Sequence, residues 1–427
     1  MEQHSVTCTI LFLLLTQYIL HTDTSRPTFR PTRLVSYSLP QKRELKKALG
    51  FNEDVYLNFT ELTDKYGYPT EVHKVTTDDG YILDVFRILP KCSDSARSYP
   101  VFLLHGIFDT ADMWVVTGTK TGLGYVLASN CYDVWAGNHR GNFYARRHVK
   151  LDPNTDPDYW NYTFDEHGRY DVPAIINYIL RSTGHSKLFY VGHSQGSTNY
   201  FVMSSLRPEY NDKVRVAVML GPVAWLKNYE NPIARLLAQN HVAIKAFVDN
   251  AGLNEIFGRE HFVHFVVEFL CELAPNFCDL GLSLTTGYKQ GTIPLKDISV
   301  AMGHLFSGTS IKNLAHFAQL IVSRNFQRYD EGVTGNLERY GSRKPPRYNV
   351  SRISSPIVLV SAKSDMLSTL KDVDILVSKL PNLVENYIVP EFYWSHHNHV
   401  WGPNAPELVY AKILDYFNKY KDDTTRV

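Results

Sequence analysis

The sequence predicts an α/β fold in which a mostly parallel central sheet is flanked by helices and interrupted by a helical cap insertion. Three observations predict it. From Tyr99 onward, short β-rich runs alternate with segments of helical apolar spacing. That alternation stops between Trp225 and about Pro346, where about 120 residues of long apolar helical pattern stand between two core strands, against an ordinary connection of roughly 4–6 residues. The 427 residues are 44% hydrophobic and 20% charged, enough apolar material to build a core and unlike a disordered chain.

In chain order, VFLLH (Val101 to His105) reads as a strand ending at Gly106, and YDVWAGN (Tyr132 to Asn138) as a strand entering the Gly-bearing loop NHRGN. A helix follows from Asp171 to Gly184: Asp171 stands at the N-cap, Pro173 in the first turn and Gly184 just past the end, with Ile175, Ile176, Ile179 and Leu180 on one stripe. KLFYVGHS is a strand, STNYFVMSSL a helix, VRVAVMLGPVA and SPIVLVSAKSD strands, and ENYIVPEFYWSH the last strand before a closing helix around PELVYAKILDYFNKY. The stretch before Tyr66, with its QKRELKK run, reads as a loosely packed polar leader or a removable pro-segment. The resulting division is a signal peptide at 1–24, this leader at 25–65, core at 66–224, the cap insertion at 225–346 and core again at 347–427.

The apolar run Val6 to Leu20 is too short for a bilayer span of roughly 20 residues and reads as a cleaved secretory signal. HFVHFVVEFLC (His261 to Cys271) is also short, and His264 and Glu268 interrupt it, so no later segment is expected to cross a membrane. Secretory entry agrees with three N-x-[ST] acceptors, at Asn58, Asn161 and Asn349. Of five cysteines, Cys8 leaves with the signal and Cys271 pairs with Cys278 across a six-residue spacer. Cys92 and Cys131 read equally as two buried thiols or as a bridge. With 44 Lys+Arg against 43 Asp+Glu, the net charge of +1 argues against nucleic-acid binding.

The chemistry is carried by Gly192-His193-Ser194-Gln195-Gly196, a G-x-S-x-G sequence between a strand and a helix. In that context the turn is so tight that its flanking residues must be small, and it thrusts the Ser194 hydroxyl above the sheet edge. A serine hydroxyl needs a base to take its proton and an acid to steer that base. The α/β-hydrolases supply them in the order Ser, Asp/Glu, His. Asp365 ends an apolar strand on the correct side of Ser194, whereas Asp133 and Asp171 precede it. The base is His396, with His399 the alternative in the same cluster. A metal site among those histidines lacks partners at ligand spacing. The tetrahedral oxyanion takes backbone N–H donors from Gln195 and, after the strand ending at His105-Gly106, from Ile107.

These residues resemble the acid lipases typified by lysosomal acid lipase and gastric lipase, and within them the insect members. The likeness runs from Tyr66 to the C-terminal helix. It rests on YGYPTEVHKVTTDDGYILDVFRI, LLHGIFDTADMWV, YDVWAGNHRGNFYARRH, FDEHGRYDVPAIINYIL, VGHSQGSTNYFVMSSLRPEYNDKV and HFAQLIVSRNFQRYD. It implies an α/β-hydrolase fold with a lid in the cap, Ser194, Asp365 and His396 as catalytic residues, and Ile107 and Gln195 as oxyanion donors. The chain departs from the family pattern at His396-His397-Asn398-His399, where relatives read His-Leu-Asp-Phe, and around Asp365, within SAKSDMLS. The expected activity is hydrolysis of neutral lipid esters, triacylglycerol or sterol ester, at a lipid–water interface. No cofactor, metal or obligate protein partner is expected, and the destination is extracellular, the gut lumen or the lysosome.

Overall fold

The computed structural model describes residues 39–92, 98–258 and 262–421. The proposed signal peptide, Cys8 and His261 lie outside them. Ten strands occur among these residues: β1 (Thr70–Thr76), β2 (Ile82–Ile88), β3 (Pro100–Leu104), β4 (Asp133–Gly137), β5 (Leu188–His193), β6 (Val214–Leu220), the two-residue β7 (Glu255–Ile256) and β8 (Thr309–Ser310), β9 (Ile357–Ser361) and β10 (Leu383–Ile388). Eight form one sheet in the order β1-β2-β4-β3-β5-β6-β9-β10. From β4 to β10 every neighbour is parallel, and β1 and β2 add an antiparallel edge. That edge was not anticipated, although the Asp78-Asp79-Gly80 turn between alternating runs signals a hairpin.

The central strands are buried on both faces, as a parallel sheet covered by helices requires. Successive side chains alternate between two cores. Val101, Leu103, Phe189 and Val191 join one, together with Phe417 of the C-terminal helix Ala411–Lys421, which stacks on Phe189 at 4.3 Å. Phe102, Leu104, Leu188 and Tyr190 join the other, with Ile175, Ile176 and Ile179 of the helix Val172–Thr183. Asp171 precedes that helix but does not cap it with its side chain. Its carboxylate instead grips the buried Arg140 guanidinium, Nε to Oδ1 at 2.9 Å, because a buried charge must find a partner.

Residues 225–346 hold the helices Pro232–Gln239, His241–Asn250, Phe262–Leu273, Pro275–Thr286, Leu295–His304, Ile311–Ser323 and Gly332–Tyr340. His264 is buried there and donates from Nε2 to the Leu305 carbonyl at 3.0 Å. The described part of the leader is not loosely packed. Phe51, Val55 of the short turn Glu53–Val55, and Phe59 and Leu62 of the helix Phe59–Lys65 are buried in the first core. Phe59 stacks on Phe86 of β2 at 4.3 Å, and Lys46 pairs with Glu268 of the insertion. These apolar residues are scattered over a loop, a short turn and a separate helix, and the charged QKRELKK run precedes them. Among the described residues no helix is long and apolar enough to cross a membrane.

Both cysteine pairs form disulfides, Cys271–Cys278 and Cys92–Cys131. The second was undecidable from spacing. Pairing of the Lys91 N–H with the Ala128 carbonyl at 2.9 Å carries Cys92 to the end of the helix Leu123–Ser129, beside Cys131. The bond closes a 39-residue separation, so replacing both cysteines with serine is expected to cost about 4 kcal/mol on chain-entropy arithmetic, measurable by urea denaturation.

Candidate active site

The carboxyl ends of β3, β5, β6 and β9 are adjacent at one edge of the sheet, the edge where open α/β sheets place ligands. β5 ends at His193, and Ser194 turns the chain into the helix Gln195–Leu206 with φ +52°. A non-glycine residue in that region is strained and is held by its surroundings. Here the Ser194 N–H donates to the Leu220 carbonyl at 3.0 Å, while the Ser194 carbonyl accepts from Ser197 N–H at 2.9 Å. The flanking glycines are required by contact: a Cβ on Gly196 would lie 2.2 Å from the Leu104 carbonyl oxygen, and one on Gly192 2.7 Å from the backbone of Gly196.

Asp365 follows β9, and His396 lies in the loop after β10. The structure brings them together, with His396 Nδ1–H donating to Asp365 Oδ2 at 2.8 Å. The other carboxylate oxygen accepts N–H groups from Leu367 and Ser368, each at 2.8 Å. Burial alone raises the Asp365 pKa, but the imidazole and the Ser368 N–H outweigh it and hold the carboxyl below its usual value. The His396 ring is fixed from behind, where His193 Nε2–H donates to the His396 carbonyl at 3.0 Å. His396 Nε2 is buried and has no hydrogen-bond partner among the described residues.

His396 and Asp365 pack against Gly221, the residue after β6. A Cβ there would sit 2.9 Å from His396 Nδ1 and 3.3 Å from Asp365 Oδ2, on a backbone with φ +54°. Gly221→Ala therefore displaces the imidazole, and kcat is expected to fall by about 100-fold, as for an ångström-scale misplacement, with thermal melting to show that the fold survives.

The other candidates lie elsewhere. His399 Nδ1 accepts from Trp394 Nε1–H at 3.1 Å, and burial lowers its pKa to about 3. Asp133 is gripped by Arg87, at 2.8 and 3.0 Å. Gln195 is the first helical residue, so its N–H has no intrahelical acceptor. Ile107 follows Gly106, whose own Cβ position would lie 3.6 Å from Ser194 Oγ. His105 Nδ1–H donates to the Gly106 carbonyl at 2.8 Å and orients the peptide that carries the Ile107 N–H. Among the described residues no three His, Cys, Asp or Glu side chains are grouped to hold a metal.

Sequence reasoning missed the polar cluster beneath the elbow, formed by His105, His139, His167, Asn199, Asn313 and the Gln195 carboxamide. Burial pushes the His105 pKa down to about 4 and those of His139 and His167 well below the usual value. Only the repeated polar residues around the elbow could have signalled it, since His167 and Asn313 are remote in sequence.

Comparisons with known proteins agree with this architecture. Residues 59–118 match the partial alpha/beta-hydrolase lipase region, and 99–253 the alpha/beta hydrolase fold. The chain is 36% identical over 374 residues to gastric triacylglycerol lipase of Bos taurus, covering 85% of this chain and 91% of that one. It is 35% identical over 385 residues to Lipase 1 of Drosophila melanogaster, covering 89% and 83%. Against human lysosomal acid lipase/cholesteryl ester hydrolase it is 33% identical over 398 residues, covering 91% and 97%. Identity at that level over nearly whole chains, on a sheet whose carboxyl edge gathers a strained serine turn, a buried carboxylate and an imidazole, makes this chain a member of the acid lipase family of α/β-hydrolases and an ester hydrolase.

Proposed function

We propose that the chain is a serine hydrolase that cleaves neutral lipid esters, triacylglycerol or sterol ester, through an acyl-enzyme. The observation that carries this reading is the Asp365–His396 hydrogen bond beside the strained Ser194 elbow, with His396 Nε2 left uncommitted. Ser194 attacks the ester carbonyl while His396 Nε2 accepts its proton. The Gln195 and Ile107 N–H groups receive the developing oxyanion. His396 then protonates the departing alcohol, and Asp365 balances the imidazolium. Water repeats the cycle on the acyl-enzyme.

An interfacial substrate is supported by apolar side chains that the insertion leaves in solvent, among them Leu236, Val242, Phe247, Leu273 and Phe277, each more than half exposed. A secreted or lysosomal destination is supported by the N-terminal apolar run and the two disulfides. Asn161 and Asn349 are exposed and open to glycosylation, while Asn58 also caps the helix Phe59–Lys65.

Two measurements test the reading. A fluorophosphonate is expected to label the chain once, on the peptide containing Ser194, and a chain lacking catalysis remains unlabelled. Rates on an ester chain-length series are expected to rise when the ester is emulsified. A preference for short dissolved esters would mark a nonlipolytic carboxylesterase.

A further inference from the structure

Gln195 has a second part to play beyond its backbone N–H. Its side chain is buried, and each end is bonded. Oε1 accepts from Asn313 Nδ2–H at 2.9 Å. Nε2–H donates to His167 Nδ1 at 3.1 Å and approaches His139 Nδ1 at 3.4 Å. The two imidazoles are parallel within 2°, with centroids 4.9 Å apart. Asn199, one turn along the same helix, places its carboxamide nitrogen 2.8 Å from His139 Nε2. The His139 ring also packs 4.1 Å from His105, the residue that orients the Gly106–Ile107 peptide.

Asn313 belongs to the insertion rather than to the sheet. It stands in the first turn of the helix Ile311–Ser323, where its backbone N–H donates to Ser310 Oγ at 2.9 Å and its Nδ2 also reaches Thr309 Oγ1 at 3.2 Å. Ser310 Oγ in turn donates to the Tyr162 carbonyl at 2.6 Å. The Gln195 carboxamide thus spans the insertion on one side and core imidazoles on the other. A buried carboxamide pays heavily for any missing bond, so this set of partners selects one rotamer and one placement of the first helical turn. His167 Nδ1 can accept from Nε2–H only while its imidazole is neutral, and burial keeps it so.

We infer that the Gln195 side chain, clamped between Asn313 of the insertion and the His139–His167 pair of the core, is a positioning device for the oxyanion donors, so that a seated insertion is required for full catalysis. This rests on the serine-hydrolase reading above. Oxyanion donors act only when aimed at the tetrahedral oxygen rather than at the ground-state carbonyl. Loosening the first helical turn therefore affects kcat more than binding.

The test uses the full chain with Gln195→Met, which keeps length and the backbone N–H, with Asn313→Leu, and with the double variant. Kinetics are measured on a dissolved short-chain ester, alongside inhibition by a trifluoromethyl ketone that forms a tetrahedral adduct. Each single variant is expected to lose about 10–100-fold in kcat, part of the cost of deleting a donor, with KM within about threefold. Inhibition constants are expected to rise in parallel, and the double variant to be no worse than about twofold below the poorer single, as residues acting as one unit are non-additive. Asn313→Asp, isosteric and presenting only acceptors to Oε1, is expected to show the same loss should the leucine variant fold poorly. Single variants that melt lower yet keep kcat and ketone affinity within about twofold of wild type overturn the inference and leave the hydrolase reading intact. Hydrolysis that survives Ser194→Ala overturns both.

Discussion

Ser194→Ala is expected to lower kcat for ester hydrolysis by roughly 10⁶-fold, the loss that accompanies removal of a serine nucleophile. Nothing else at the elbow can replace it. The flanking positions are glycines fixed by backbone contact or side chains committed elsewhere, as His193 is to the His396 carbonyl and Gln195 to Asn313. The substitution removes one oxygen and leaves the turn bonded through Ser194 N–H and carbonyl, so thermal melting is expected to move little. The assay is hydrolysis of an emulsified triacylglycerol and of a dissolved ester between pH 4 and 8, with fluorophosphonate labelling in parallel. Full activity in the variant would refute the assignment.

Asp365→Asn is expected to cost about 10⁴-fold in kcat, through a tautomer rather than a lost contact. Oδ1 accepts two backbone N–H groups, from Leu367 and Ser368. The asparagine oxygen must take that position, because an NH₂ group there would face two donors. Its NH₂ then points at His396 Nδ1, which has to present a lone pair. The imidazole proton moves to Nε2, the atom that in the proposed mechanism accepts from Ser194. In the wild type the Asp365 carboxyl is held below its usual value, because the imidazole and the Ser368 N–H outweigh the opposing effect of burial. Steady-state kinetics of the variant check this, and activity within about tenfold of wild type would exclude the tautomer argument.

Strands β3, β5, β6 and β9 were readable because a sheet covered on both faces demands continuous apolar runs, and helix Val172–Thr183 because its stripe and its terminal Gly184 are local features. The elbow was readable because Gly192 and Gly196 answer to contacts within a few residues of Ser194 or on the neighbouring strand. The edge strand β1 exposes most of its side chains and so lacks the continuous apolar run that marks the central strands. The buried residues Phe51, Val55, Phe59 and Leu62 fall on a loop, a short turn and a separate helix, so no single periodicity announces them. Asp171 looked like a cap because a cap is a local pattern, whereas its Arg140 partner is 31 residues away.

By itself the sequence determined the fold class, the strand-to-helix turn at Ser194 and the short-range Cys271–Cys278 pair, since each depends on periodicity or on spacing within one segment. Only the tertiary structure decided which imidazole meets Asp365, that Cys92 reaches Cys131, and that Asn313 holds Gln195. Those partners are 31, 39 and 118 residues apart. Hydrogen bonds and disulfides act over a few ångströms, and no local pattern records which distant groups the folded sheet and its insertion bring within that range.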